Sequence, residues 1–193
     1  MTTSGTHPSL DAFIEACRAC ARDCPVPADC VEAIAPLMRD LLLGDRGFLE
    51  PRHFRADPAH YARNPVYIAE DGSLSLFALV WTPGQWTPVH DHGTWGVVGV
   101  LQGVLEERNY IRTDHGNPRN EGIVLHRGGV ILLGEGTVTS FVPNPDHIHV
   151  TGVPAGREPV VSLHLYGREM NSFHIYDTAA GTRQLINVPY NES

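Results

Sequence analysis

Three short stretches carry the side chains able to do chemistry. His90-Asp91-His92 and His147-Ile148-His149 each hold two imidazoles two residues apart, and Ser162, His164 and Tyr166 alternate with Leu163 and Leu165. Side chains at i and i+2 of a strand share a face, so each histidine pair can aim two metal-binding nitrogens at one point. A hydroxyl, an imidazole and a phenol on one strand face need partners when buried, and beside a metal pocket they can orient a ligand and manage protons. Eleven histidines in 193 residues also produce His-x-His pairs by chance, so context has to decide. The competing readings are solvent-facing histidines at 90 and 92, and an outer strand face in water at 162, 164 and 166. His147 and His149 compete for the place of a third ligand.

Charge narrows the classes of function. All 14 basic residues are arginine, the net charge is -8 and no basic cluster occurs, which argues against nucleic acid or anionic lipid as a partner. The absence of lysine removes Schiff-base and P-loop chemistry. The opening "MTTSGTHPSL" lacks a charged segment followed by an apolar one, and no run of about 18 apolar residues occurs, so neither a signal peptide nor a membrane span is indicated. The expectation is a cytoplasmic protein with no protein partner.

The elements that must position these residues follow from patterning. The length suits one domain over residues 1–193, with a helical segment over about 1–45 and a β-barrel over about 60–180. Leu10, Phe13, Ile14 and Cys17 have the spacing of an amphipathic helix, and Cys20 and Cys24 extend that face. This favours packing over a zinc or disulfide role for the four cysteines. A second helix is expected from about Asp29 to Leu43, stopped by Gly44. From about Val66 onward, short β-rich runs such as "SLSLFALVW", "WGVVGVLQG", "VLEERNYIR" and "PVVSLHLYG" alternate with turn residues, and residues 113–122 form a polar loop. Two helices packed on an antiparallel β-barrel result.

In "GQWTPVHDHGTWG", Gly84 lies six residues before His90 and Gly96 four after His92, with Gly103 seven further on. This resembles the first cupin motif, except that its acidic ligand position falls on Gly96, and "PNPDHIHV" is a looser match to the second. The fold implied is all-β: a cupin barrel (double-stranded β-helix, jelly-roll) with two N-terminal helices. Three neutral imidazoles without a carboxylate would leave a divalent metal its full charge and open positions, which favours anionic substrates. Fe(II), Zn(II) and Ni(II) all accept such ligands.

"HDH" followed by "LQG", the "SLHLY" strand, "YARN" upstream and "FHIYD" downstream together resemble the cysteine dioxygenase family of cupins, over about Tyr61 to Asp177. The resemblance implies Fe(II) held by His90, His92 and His149, the last preferred to His147 by its distance from "SLHLY". It implies a Ser162, His164 and Tyr166 triad around the metal, and Arg63 with Tyr61 at the substrate carboxylate. It further implies that both atoms of O2 are added to the sulfur of a small mercapto-carboxylate to give a sulfinate. An arginine suits that position because its planar fork can hold a carboxylate through two hydrogen bonds.

Two departures bear on the substrate. The cysteine that cross-links to the triad tyrosine in animal members falls on Gly96, so no cross-link can form. Bacterial 3-mercaptopropionate dioxygenases share that glycine, yet commonly have glutamine at the position of Arg63 and an arginine at that of Phe173. Cysteine, 3-mercaptopropionate and mercaptosuccinate stay open, the last because Arg63 and Arg168 can each take one carboxylate. Another metal-dependent cupin enzyme (an isomerase or ring-cleaving dioxygenase) would explain the histidines but leave "SLHLY" without a role. A non-catalytic cupin binding a small anion is the other alternative.

Overall fold

Two helices come first: α1 (Pro8–Asp23) and α2 (Pro27–Leu43). The protein is described by a computed structural model over residues 8–114, 119–143 and 147–191. The apolar stripe read from the sequence is the buried one, with Leu10, Phe13, Ile14 and Cys17 of α1 packed with Cys30, Ile34, Met38 and Leu42 of α2. Pro27 opens α2 where a missing N–H costs nothing, and Gly44 closes it. All four cysteines are free, Cys17 and Cys30 buried and Cys20 and Cys24 packed against the same core. They act as small apolar side chains.

Ten strands follow: β1 (Ala62–Ile68), β2 (Ser75–Trp81), β3 (Gly96–Gln102), β4 (Leu105–Arg112), β5 (Leu125–Leu133), β6 (Val138–Phe141), β7 (Ile148–Gly152), β8 (Val160–Tyr166), β9 (Ser172–Asp177) and β10 (Thr182–Asn187). One sheet has the order β1-β2-β8-β3-β6; opposite it lie β5-β4-β7 and β10-β9. Bridges from Trp86 to Gly152, and from His90 to both His149 and Ile175, stitch the segment before β3 between β7 and β9. The result is an antiparallel cupin barrel, all-β with two N-terminal helices.

β2 and β8 are buried along their whole length because each has a covered side on both faces. Leu76, Ala78, Leu163 and Leu165 meet the helices, while Phe77, Leu79, Trp81 and Tyr166 turn into the barrel. Burying a leucine this fully contributes roughly 1.5–3 kcal/mol, so the helices specify which face of β8 is inside. Gly99 of β3 lies directly under Leu42 and Met38, and a side chain there would push α2 off the sheet.

Several boundaries differ from expectation. The β region begins at Ala62 rather than Val66, β5 starts four residues before "GVILL", and β10 was not anticipated. Parts of the 113–122 loop (residues 115–118) and of "PNPDHIHV" (144–146), and residues 1–7 of the helical segment, lie outside the described residues. His90 and His92 do not sit in a regular strand: His90 makes single bridges and His92 has no strand pairing.

Candidate metal centre

The loop carrying His90 and His92 is fixed by its neighbours. His90 and His149 exchange both backbone hydrogen bonds at 3.0 Å. Asp91, between the two histidines, points away from them toward β9: its carboxylate accepts from the Tyr176 hydroxyl at 2.7 Å and from the His174 backbone N–H at 3.2 Å. With Asp91 anchored outward, the imidazoles on either side turn inward. Arg168 holds the same loop from below, donating to the His92 carbonyl at 3.1 Å.

His90, His92 and His149 thereby converge, their ring centroids 4.6 to 4.9 Å apart and their donor nitrogens all within 4.8 Å of one another. The Pro88 carbonyl lies 3.1 Å from His90 Nδ1, and since a carbonyl only accepts, Nδ1 carries the hydrogen and Nε2 keeps a lone pair. His149 is set the same way by the Glu107 carboxylate, 3.3 Å from its Nδ1. The buried Nδ1 of His92 has no hydrogen-bond partner among the described residues. Phe141 stacks on its ring at 4.1 Å. Burial, with mutual repulsion second, pushes His90 and His92 well below the ordinary imidazole range; burial also lowers His149, against the pull of Glu107. Neutral and buried, with the tautomer of His90 and His149 fixed by Pro88 and Glu107, the three rings fit a divalent metal ion.

Glu107 was not singled out by sequence reasoning. It is buried, with Oε1 3.4 Å from His147 Nε2 and Oε2 near His149. Burial alone would raise its carboxyl, but hydrogen bonds from His147 and His149 outweigh that and hold it well below the usual range. Glu107, His147 and His149 form a second group with ligand-like spacing, and His149 belongs to both. Because His149 Nδ1 serves Glu107, the His90–His92 group is the one left with lone pairs.

A cavity of about 30 Å³ opens beside the three imidazoles, lined by Tyr61, Arg63, Trp81, Phe141, His164 and Tyr166 among others. The Ser162 hydroxyl lies 2.8 Å from His164 Nε2, and the Tyr166 hydroxyl 3.3 Å from His164 Nδ1. All three side chains are buried on the inner face of β8. Burial drives His164 down to about 3, with His149 and Arg63 adding to it, and pushes the Tyr166 phenol up. Phe141 fills the space beside Gly96, where any Cβ would collide with its ring.

The two candidate anion-binding arginines part company. Arg63 lines the cavity and lies 4.9 Å over the Phe77 ring. It donates through Nη1 to the carbonyls of Val188 (3.3 Å) and Pro189 (3.1 Å) and through Nη2 to that of Met170. Three of the five guanidinium N–H groups are used in this way, which leaves two. Arg168 is absent from the lining and is engaged by His92, Glu169 and Ser172. Tyr61 lines the cavity and stacks on Trp81 at 4.6 Å.

Barrel and imidazoles together define a cupin with a three-histidine metal centre. Residues 49–179 match the family profile of cysteine dioxygenase type I, and the chain belongs to that family. Cysteine dioxygenase type 1 of Homo sapiens is 26% identical over 140 residues, covering 69% of this chain and 64% of the human protein. The chain thus spans somewhat under two thirds of that relative's length. The Danio rerio protein of the same name is 24% identical over 161 residues, covering 83% and 76%. Among solved structures, a conserved Klebsiella pneumoniae protein with a double-stranded β-helix domain aligns with a TM-score of 0.48 at 18% identity, over 69% of this chain and 99% of that one.

Proposed function

We propose that this chain is an iron-dependent thiol dioxygenase that adds both atoms of O2 to the sulfur of a small mercapto-carboxylate. The observation that carries the reading is that one cavity is bounded by the His90–His92–His149 group, by Arg63, and by His164 and Tyr166, with Ser162 bonded behind His164. A three-histidine site without a carboxylate supports Fe(II) as an ion that keeps its charge for anionic ligands. Iron, when bound, supplies the redox chemistry that joins dioxygen to the thiolate sulfur. The overall change is RSH plus O2 to RSO2H, which needs no external reductant.

The chain's own residues then have defined tasks. Arg63 offers its two remaining N–H groups to the substrate carboxylate, with Tyr61 beside it, and so fixes where the thiol end falls. Tyr166 places its hydroxyl at the reacting end, steadied by His164 and Ser162. Leu79, Val98, Met170 and Phe173 complete the wall and exclude water. The engagement of Arg168 elsewhere, away from the cavity lining, supports monocarboxylates, cysteine or 3-mercaptopropionate, over mercaptosuccinate. A cytosolic setting belongs to the same reading, supported by the four free thiols.

Metal analysis of the purified protein followed by oxygen uptake with a thiol panel tests it. Bound iron with uptake on cysteine or 3-mercaptopropionate is the expected result. Bound zinc with no uptake on any thiol would point to an isomerase-type or non-catalytic cupin.

A further inference from the structure

Trp81 is fully buried at the end of β2 and lines the cavity. One face stacks on Tyr61 with an interplanar angle of 19°. Its Nε1–H donates to Ser162 Oγ at 3.0 Å. An indole nitrogen only donates, so Ser162 Oγ must accept there, and the hydroxyl hydrogen has to find an acceptor elsewhere. Among the described residues, His164 Nε2, 2.8 Å away, is the remaining partner of that hydroxyl. Were the hydrogen on Nε2 instead, two N–H donors would converge on one oxygen and the serine hydrogen would be orphaned in a fully buried place.

Only one direction satisfies every group. Trp81 donates to Ser162, Ser162 to His164 Nε2, and His164 Nδ1–H to the Tyr166 oxygen. With its oxygen accepting from His164, the Tyr166 hydroxyl is free to turn its hydrogen toward the cavity it lines. We infer that Trp81 is a positioning residue that sets the direction of the Ser162–His164–Tyr166 chain, so that Tyr166 meets the bound ligand as a hydrogen-bond donor. A donor there suits a thiolate sulfur or a sulfinate oxygen; this consequence rests on the thiol dioxygenase reading. The reversed chain would offer the ligand an acceptor and repel both.

The test reads the tautomer directly. Protein labelled at histidine with the heavy nitrogen isotope and loaded with diamagnetic Zn(II) is measured by NMR, the His164 signals being assigned by their loss in His164→Asn. The expected result for the parent is a protonated Nδ1 and a bare Nε2 at His164. Trp81→Phe keeps the ring on Tyr61 and deletes the N–H. It should populate the Nε2–H form substantially and, loaded with iron, lower kcat by about fivefold or more while KM for the thiol moves less than about twofold. A protonated Nε2 in the parent overturns the inference without any variant being needed. Parent-like tautomer and kcat in Trp81→Phe overturn it as well. The expected tautomers in a protein that oxidises no thiol would uphold the direction of the chain and remove the dioxygenase reading instead.

Discussion

The Glu107 carboxylate lies 3.3 Å from Nδ1 of His149, so the third imidazole of the metal group has a buried anion at its other nitrogen. That contact fixes the His149 tautomer, restrains the ring and raises its basicity toward a metal. It also accounts for a carboxylate that is buried although it is not one of the three residues of the His90–His92–His149 group.

Removing this support should weaken the metal site without abolishing it. Glu107→Ala is expected to lower metal affinity by about 10- to 100-fold, and Glu107→Gln, whose amide oxygen can still accept from Nδ1, by less. Competitive chelator titration measures both. Equal affinities in the parent and the alanine variant would leave the contact without consequence for the metal.

The two histidines of β7 and its approach should behave differently. His90→Ala, His92→Ala and His149→Ala are each expected to lose bound metal, whereas His147→Ala largely retains it. The difference arises because His147 touches Glu107 and His149 but lies outside the His90–His92–His149 group. Metal content by elemental analysis decides, and equal loss at 147 and 149 would contradict the assignment.

Much of this site was legible in the sequence, and the part that was not has physical causes. The spacing from Gly84 through His90 and His92 to Gly103 resembled a cupin metal motif, and the alternation in "SLHLY" put Ser162, His164 and Tyr166 on one face because a strand has a period of two. Which face is inside was not readable until α2 covered Leu163 and Leu165. Glu107 was hidden because "LEER" reads as a solvated charged strand. Its neighbours Glu106 and Arg108 do pair outside, at 2.7 Å, and only pairing with β7 puts Glu107 opposite Thr151. Leu105, apolar and on the same face as Glu107, was the available signal. Arg168 drew attention as a nearby cation, but residue type does not tell where a long side chain points, and this one turns to backbone carbonyls. β10 was missed because "TRQLIN" is short and has no buried residue, with no regular alternation.

Acid should destabilise the metal-free protein. His90, His92, His149 and His164 are all held below the ordinary value of 6.5, chiefly by burial, and so are neutral when folded and free to protonate when unfolded. The unfolded chain therefore binds more protons below pH 6.5, and stability is lost as pH falls from there toward the folded values. His164 alone accounts for on the order of 2 kcal/mol between about pH 7 and about pH 5. Denaturant unfolding of the apoprotein at both pH values, with His164→Asn showing a shallower loss, checks this; a flat profile would contradict it.

Arg63→Gln should cost mercapto-acid turnover about 2 kcal/mol or more in kcat/KM, through loss of the charge-assisted fork. The same change frees the carbonyls of Met170, Val188 and Pro189, so part of any loss is structural. Cysteamine, a thiol without a carboxylate, is expected to be a poor substrate and to suffer little, and the difference between the two thiols isolates carboxylate binding. Arg168→Gln is expected to loosen the His92 loop and reduce metal content, not to change the choice among acids. Comparable losses for cysteamine and 3-mercaptopropionate in Arg63→Gln would remove Arg63 from carboxylate recognition.

The most direct test of the central claim follows the oxygen atoms. Iron-loaded protein is supplied with isotope-labelled dioxygen and either cysteine or 3-mercaptopropionate in unlabelled water, and the product is weighed by mass spectrometry. A sulfinate carrying two labelled oxygens, formed one for one with dioxygen consumed, is the result expected of a thiol dioxygenase. A disulfide, a sulfinate with only one labelled atom, or an intact thiol beside iron-loaded protein would contradict it.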